Sequence, residues 1–200
     1  YFVLAPVNLV FALSFISLFT WFFGKAIGSH EISTLFRHHS SISFLLCSVA
    51  TYLLWLKPQR RIRLYLAKII SAGVLGIGLL ALYQKITIFG PTADHPLIID
   101  FNSSNPNEFG HMALPSAFII SILGLSLLLN SYNRFLNKIS TFLNAGVFFI
   151  SLIGLIELIF QADSFSQIES ALRISEQPAI SGLLISFAGF FVYPQNKYDS

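Results

Sequence analysis

Six apolar stretches, separated by shorter polar segments, run along the whole chain. They cover roughly residues 3–28, 40–56, 64–89, 112–130, 136–161 and 178–193. Most of them reach the ~20 residues that a helix needs to cross ~30 Å of hydrocarbon, while the last is short. None alternates apolar and polar residues as a barrel strand does, so helices are the spanning structure that remains. The pattern predicts an all-α integral membrane protein with six transmembrane helices.

The even-numbered stretches look like three copies of one helix. Three rows of small residues coincide when the copies are offset by 73 and 65 residues: Ser43/Ser116/Ser181, Ser48/Ser121/Ser186 and Thr51/Gly124/Gly189. A repeat of this kind indicates one structural unit used three times, here a helical hairpin. We therefore expect a single membrane domain over residues 1–200, with hairpins at about 3–56, 64–130 and 136–193.

The aligned positions also predict how the helices pack. On a helix they span an arc of about 140°. Association of helices in lipid depends on the close packing of small residues rather than on hydrophobic expulsion. We expect helix–helix contacts at six of these residues, and at three glycines of the third stretch: Ser48, Thr51, Ser121, Gly124, Ser186 and Gly189, with Gly73, Gly76 and Gly78.

Composition and charge support membrane residence and orient the chain. Hydrophobic residues make up 54% of it and charged residues 10%, against near 25% charged in soluble domains. The turns at 57–63 and 131–138, with Lys68 and Lys197, hold eight of twelve Lys and Arg, whereas the other three connections hold seven of nine acidic residues. By the positive-inside rule both termini are cytoplasmic. The net charge of +3 is then a topology signal and predicts no nucleic-acid partner.

Several segments resemble the N-terminal membrane regions of bacterial sensor histidine kinases and diguanylate cyclases. His111–Leu129 is similar to their Met-Ala-(Leu/Pro)-x-(Thr/Ser)-Ala-Leu run, Phe19–Gly24 and Gly154–Phe160 echo the outgoing helix before it, and Phe191–Lys197 looks like their Pro-containing exit. The chain departs from the pattern after the first of these helices, where Lys25 stands near the common position of an Asp.

The resemblance implies a multi-pass sensory input domain in the bacterial inner (cytoplasmic) membrane, working as a dimer and relaying a signal to a cytoplasmic output module. Since the chain begins at Tyr1 without Met, we expect it to be a trimmed fragment. A sensor should continue past Ser200, whereas a complete accessory subunit should stop there.

The sequence carries no catalytic motif. It has no histidine-kinase box, no Gly-Gly-Asp-Glu-Phe loop and no nucleotide-binding glycine pattern, and Leu114-Pro-Ser-Ala117 lacks the Gly-His of a membrane lipid phosphatase. We therefore predict no enzyme in these residues and no particular cofactor. The alternative to a sensor is a non-catalytic accessory subunit of a larger membrane complex, packing a Phe-rich surface on partner helices or pigments. Transport also competes, because repeats are common in carriers.

Polar residues at the predicted outer face are candidates for sensing. His30, Asp94, His95 and His111 stand in the acidic connections, where imidazole and carboxylate groups suit a divalent ion or a polar signal, although no metal-ligand spacing occurs. Glu157 is the acidic residue inside an apolar stretch, which marks it as functional or as a structural partner of Lys25 or Lys85.

Overall fold

The computed structural model describes residues 4–27, 38–56, 61–88, 114–130, 134–160 and 176–192. This part of the chain is all-helical, which confirms the all-α part of the predicted class. It forms six helices: α1 Leu4–Ile27, α2 His38–Trp55, α3 Arg61–Ile88, α4 Leu114–Leu129, α5 Arg134–Phe160 and α6 Glu176–Phe191. Each helix begins and ends within three residues of the apolar stretch that predicts it.

Proline marks the first turn of three of these helices. Pro6, Pro115 and Pro178 are the third, second and third residues of α1, α4 and α6. Proline is tolerated there because backbone N–H groups of a first turn have no partner within the helix, and its fixed φ suits the helical backbone. The sequence therefore begins these helices with a residue that would break them further in.

Two of the described helices are long and apolar enough to cross a membrane by length and composition. These are α3 over Ile62–Tyr83 and α5 over Phe135–Ile159. The other four contain shorter apolar segments: Leu4–Thr20, Ser40–Trp55, Leu114–Leu129 and Gln177–Phe191. The prediction of six spans and of cytoplasmic termini stays a prediction.

The helices form an inner and an outer group. Three inner helices, α2, α4 and α6, contact one another. Each outer helix packs against two of them: α1 against α2 and α6, α3 against α2 and α4, and α5 against α4 and α6. The most extensive contacts join α3 to α4, α5 to α6 and α1 to α2. Sequence neighbours thus pair as hairpins, and the contact of α1 with α6 closes the bundle.

Polar side chains lie inside this bundle and large apolar side chains lie outside it. Serines of all six described helices are buried, as are Asn130, Asn137 and Asn144. They share the interior with apolar core residues such as Phe44, Ile119 and Leu123. Most of the exposed large apolar side chains belong to the outer helices, among them Phe15, Tyr65, Phe142 and Phe149. An apolar surface this extensive marks a contact with another protein or with a membrane.

Candidate functional site

Small residues of α4 bring its backbone against that of α3. A Cβ atom added to Gly124 would lie 2.6 Å from the backbone nitrogen of Leu75 and 2.9 Å from its Cα. One turn further along the interface, a Cβ on Gly78 would lie 2.8 Å from the backbone nitrogen of Ser121. Such distances leave no room for a side chain, so the closest helix pair of the bundle depends on glycine at both positions.

Glycine also allows α6 to approach α5. A Cβ on Gly189 would lie 2.9 Å from Cγ of Asn144, so the glycine rests directly on that amide. A Cβ on Gly182 would lie 3.0 Å from Cγ2 of Ile119, and it would also collide with the Ser151 hydroxyl. Gly182 therefore lies where α4, α5 and α6 meet.

Four of the aligned hydroxyl residues form hydrogen bonds within their own helices. Ser48 donates to the Leu45 carbonyl at 2.7 Å and Thr51 donates to the Cys47 carbonyl at 2.7 Å. Ser121 and Ser186 do the same in α4 and α6, to the carbonyls of Ala117 and Leu183. All four side chains are buried. Because their hydroxyls are occupied locally, they contribute small size to the helix contacts rather than bonds between helices.

Two glycines of α3 do not pack as the sequence predicts. A Cβ on Gly73 or on Gly76 would meet no atom of the described residues within 4 Å, and both glycines lie on an exposed face of the helix. The predicted contacts of Gly73 and Gly76 are not made with any of the described residues, whereas Gly78 does line a helix contact. The difference is one of helix face, since Gly78 faces α4.

A polar cluster joins three helices at one end of the bundle. This Gln177 cluster consists of Ser17, Ser41 and Gln177, from α1, α2 and α6. The hydroxyls of Ser17 and Ser41 share a hydrogen bond of 2.6 Å. The amide nitrogen of Gln177 donates to the Ser41 hydroxyl at 2.9 Å. The cluster therefore connects the first turn of α6 to the first hairpin, 136 residues earlier in the chain.

A second polar cluster joins α4, α5 and α6 at the opposite end. This Asn130 cluster consists of Ser126, Asn130, Ser140, Asn144 and the Val192 carbonyl. Ser126 donates to the Asn144 amide oxygen at 2.8 Å, and the Ser140 hydroxyl donates to the Ser126 carbonyl at 2.9 Å. The Asn130 amide nitrogen donates to the Val192 carbonyl at 2.9 Å. The last turn of α6 is thereby tied to the end of α4.

The sequence analysis did not single out either cluster. The side-chain amides of Asn130 and Asn144 stand inside apolar stretches, and that placement is the signal that would have found them, because buried polar groups are normally hydrogen-bonded. Ser17 and Ser41 gave no such signal, since serines are frequent throughout the apolar stretches. Their pairing depends on how the helices come together.

The predicted outer-face residues lie mostly beyond what the structure describes. His30, Asp94, His95 and His111 lie outside the described residues. Glu157 lies on α5, one turn before its end, with an exposed side chain. The side chains of Lys25 and Lys85, its predicted partners, are also outside the described part. Within the described ranges, no group of three His, Cys, Asp or Glu residues is placed to hold a metal ion.

Comparison of the chain with known protein families, with characterised proteins and with solved structures finds no match. The fold itself defines an all-helical bundle with a polar interior, in which two of the described helices are able to span a membrane.

Proposed function

We propose that the chain is a six-span domain of the bacterial inner membrane that receives a signal and relays it to a cytoplasmic output module. The membrane part of the proposal is supported by the exposed surface. Most residues of the apolar segments of α3 and α5 are not buried in the bundle, whereas the core helix of a water-soluble protein is mostly buried. Lipid is the environment that tolerates such a surface.

The six-span topology is supported by helix length and charge. The outer helices have 24, 28 and 27 residues, or about 36–42 Å at 1.5 Å per residue, which exceeds the hydrocarbon thickness. The inner helices have 16–18 residues and are surrounded by the outer ones. With basic turns after the second and fourth helices, the positive-inside rule makes both termini cytoplasmic.

The observation that carries the signalling part is the attachment of α6 at both ends. Gln177 ties its first turn to α1 and α2, and Asn130 ties the residue after its last turn to α4. In the proposed topology the first attachment is at the outer face and the second is at the cytoplasmic face. A signal that favours one packing of the outer end over another would shift α6, and the segment after Val192 would carry that shift onward.

Cysteine labelling tests the topology. Cys47 is the single cysteine of the chain, so Cys47→Ala provides a background for single cysteines placed at Gln59 and Ser131, in the basic turns, and at Asn102 and Gln167, in the acidic connections. In intact cells, a membrane-impermeant maleimide should label the cysteines at 102 and 167. It should label the cysteines at 59 and 131 only after the cells are permeabilised. The reverse pattern would contradict the topology.

The length of the native polypeptide tests the signalling role. The chain has a mass of 22.3 kDa. An intact mass well above that value, with sequenced C-terminal peptides from a soluble module, supports an input domain. A native mass near 22.3 kDa would contradict it and favour an accessory subunit.

The accessory-subunit alternative is favoured by the exposed glycines of α3. Ala72, Gly73 and Gly76 form a small-residue face that no described helix covers, and such a face allows another membrane helix to approach closely. Gly76→Leu should then release a co-purifying partner protein, as measured by native mass spectrometry. Gly146→Leu, at an equally open glycine of α5, is the matched control.

A further inference from the structure

We propose that α6 is a coupled element, in which loosening the Gln177 cluster at one end loosens the Asn130 cluster at the other. The inference rests on the proposed function and names the residues that would perform the relay. It follows from how α6 is held: by hydrogen bonds to other helices at its two ends, and by small residues along its middle.

The attachment at the start of α6 draws three helices together. Gln177 is the second residue of the helix, and its amide nitrogen lies 2.9 Å from the Ser41 hydroxyl, which in turn lies 2.6 Å from that of Ser17. Ser17 and Ser41 are buried. A shift of α1 against α2 would therefore change the hydrogen bond between Ser17 and Ser41, and with it the Ser41 hydroxyl that Gln177 contacts. This end of α6 thus responds to the packing of the first hairpin.

The attachment at the end of α6 satisfies a carbonyl group that the helix itself leaves unpaired. Carbonyls at a helix C-terminus have no partner within the helix, and the Val192 carbonyl accepts a hydrogen bond from Asn130 instead. Both residues are buried. The amide oxygen of Asn130 has no hydrogen-bond partner among the described residues, so this asparagine side chain is held on one side. One hydrogen bond therefore holds this side chain to the end of α6.

Between its ends, α6 contacts its neighbours without hydrogen bonds to them from its serines. Ser186 donates to the carbonyl of Leu183 in its own helix, and the buried Ser181 hydroxyl meets no partner in the described ranges. Gly182 and Gly189 present bare backbone to α5. Without such hydrogen bonds in its middle, the helix can shift or rotate as one body. A displacement at Gln177 is then carried to Val192, about 22 Å away along the helix.

The two attachments are weak enough for a signal to change their populations. A hydrogen bond between membrane helices changes an equilibrium by about threefold on average. A change of that size at one end is small enough for a signal to produce and large enough to alter the population of a released state at the other end. Residues this far apart affect stability independently unless an element between them couples them.

Hydrogen–deuterium exchange tests the coupling in the full native chain, reconstituted in lipid nanodiscs. Gln177→Met removes the amide while keeping the length of the side chain, and Ser41→Ala breaks the same contact from the other helix. We expect either substitution to raise the exchange rate of amides 189–192 about threefold. Ser48→Ala, on the same helix as Ser41 but bonded to its own helix, should leave that rate unchanged.

The second half of the test uses Asn130→Ala. If α6 couples the clusters, Gln177→Met should add nothing at amides 189–192 once Asn130 is replaced. Faster exchange confined to the first turn of α6, or an undiminished effect of Gln177→Met in the Asn130→Ala background, would overturn the proposal. Either result would leave the topology and the native mass as they are, so the failure of this inference is distinguishable from failure of the proposed function.

Discussion

Single residues decide how closely the helices of this bundle approach. Gly124 and Gly78 bring α3 and α4 together, and Gly189 rests on Asn144. The side chains around them are small, and hydroxyls such as those of Ser121 and Thr51 bond within their own helices. In the proposed membrane location, lipid would supply no hydrophobic force between helices, so contacts of this kind would depend on packing quality and on a few hydrogen bonds.

Gly124→Ala should destabilise the bundle. The new Cβ would lie 2.6 Å from the backbone nitrogen of Leu75, and backbone atoms cannot move aside without separating α3 from α4. Overpacking of this kind costs about 1–3 kcal/mol, which should appear as a lower Tm in detergent. Gly76→Ala is the control, since a Cβ there meets no described atom within 4 Å. Equal Tm values for the two variants would contradict the packing of α3 on α4.

Asn144→Leu should destabilise the bundle by about 1–3 kcal/mol. The substitution removes the amide oxygen that accepts from the buried Ser126 hydroxyl at 2.8 Å, leaves that hydroxyl the longer contact of 3.1 Å to the Ser140 carbonyl, and presses a branched side chain onto Gly189. The free energy of unfolding in a detergent titration measures the loss. Asn144→Leu combined with Ser126→Ala should recover part of it, since both partners of the bond are then absent. No recovery in the double variant would assign the whole loss to the contact with Gly189.

At the scale of elements, the outer and inner helices perform different tasks. The outer helices expose large apolar side chains to their surroundings, as α5 does with Phe142, Phe149 and Ile156 on one face at seven-residue spacing. The inner helices are shorter, carry the aligned small residues and bury most of their surface. Each pair of sequence neighbours, α1 with α2, α3 with α4 and α5 with α6, contributes one helix to each group.

Phe149→Arg should prevent membrane integration of α5, whereas Phe149→Leu should be tolerated. The Phe149 side chain is 62% exposed near the middle of the helix, and an arginine at the centre of a spanning helix costs about 2.5–3.5 kcal/mol of insertion free energy. The labelling of a single cysteine at position 167, in the connection after α5, by a membrane-impermeant maleimide measures the effect. Undiminished labelling in Phe149→Arg would indicate that this face of α5 does not meet lipid.

At the scale of the whole molecule, the contacts that close the bundle make it one body. α1 packs on α6, and the three inner helices contact one another at its centre. Cys47 of α2 is fully buried in that centre, so its thiol reports whether distant parts of the bundle open together.

Labelling of Cys47 by a maleimide should therefore require global opening. We expect very slow reaction in the folded protein and rapid reaction after denaturation in SDS. Gly124→Ala, which acts between α3 and α4, should still accelerate labelling in α2, by about fivefold for each 1 kcal/mol of stability lost when opening precedes the reaction. An unchanged rate in that variant would show that the hairpins open separately.

The sequence by itself determined the helical class and the approximate bounds of the six described helices. It also predicted the helix contacts at Gly78, Gly124 and Gly189, because helix length, apolar runs and residue size are local properties. It did not determine which face of α3 points inward, so Gly73 and Gly76 were assigned to helix contacts that they do not make with the described residues. The pairings of Ser41 with Gln177 and of Asn130 with Val192 were decided by the tertiary structure alone. Each joins residues far apart in the chain, and a hydrogen bond depends on where two helices place its atoms rather than on either helix.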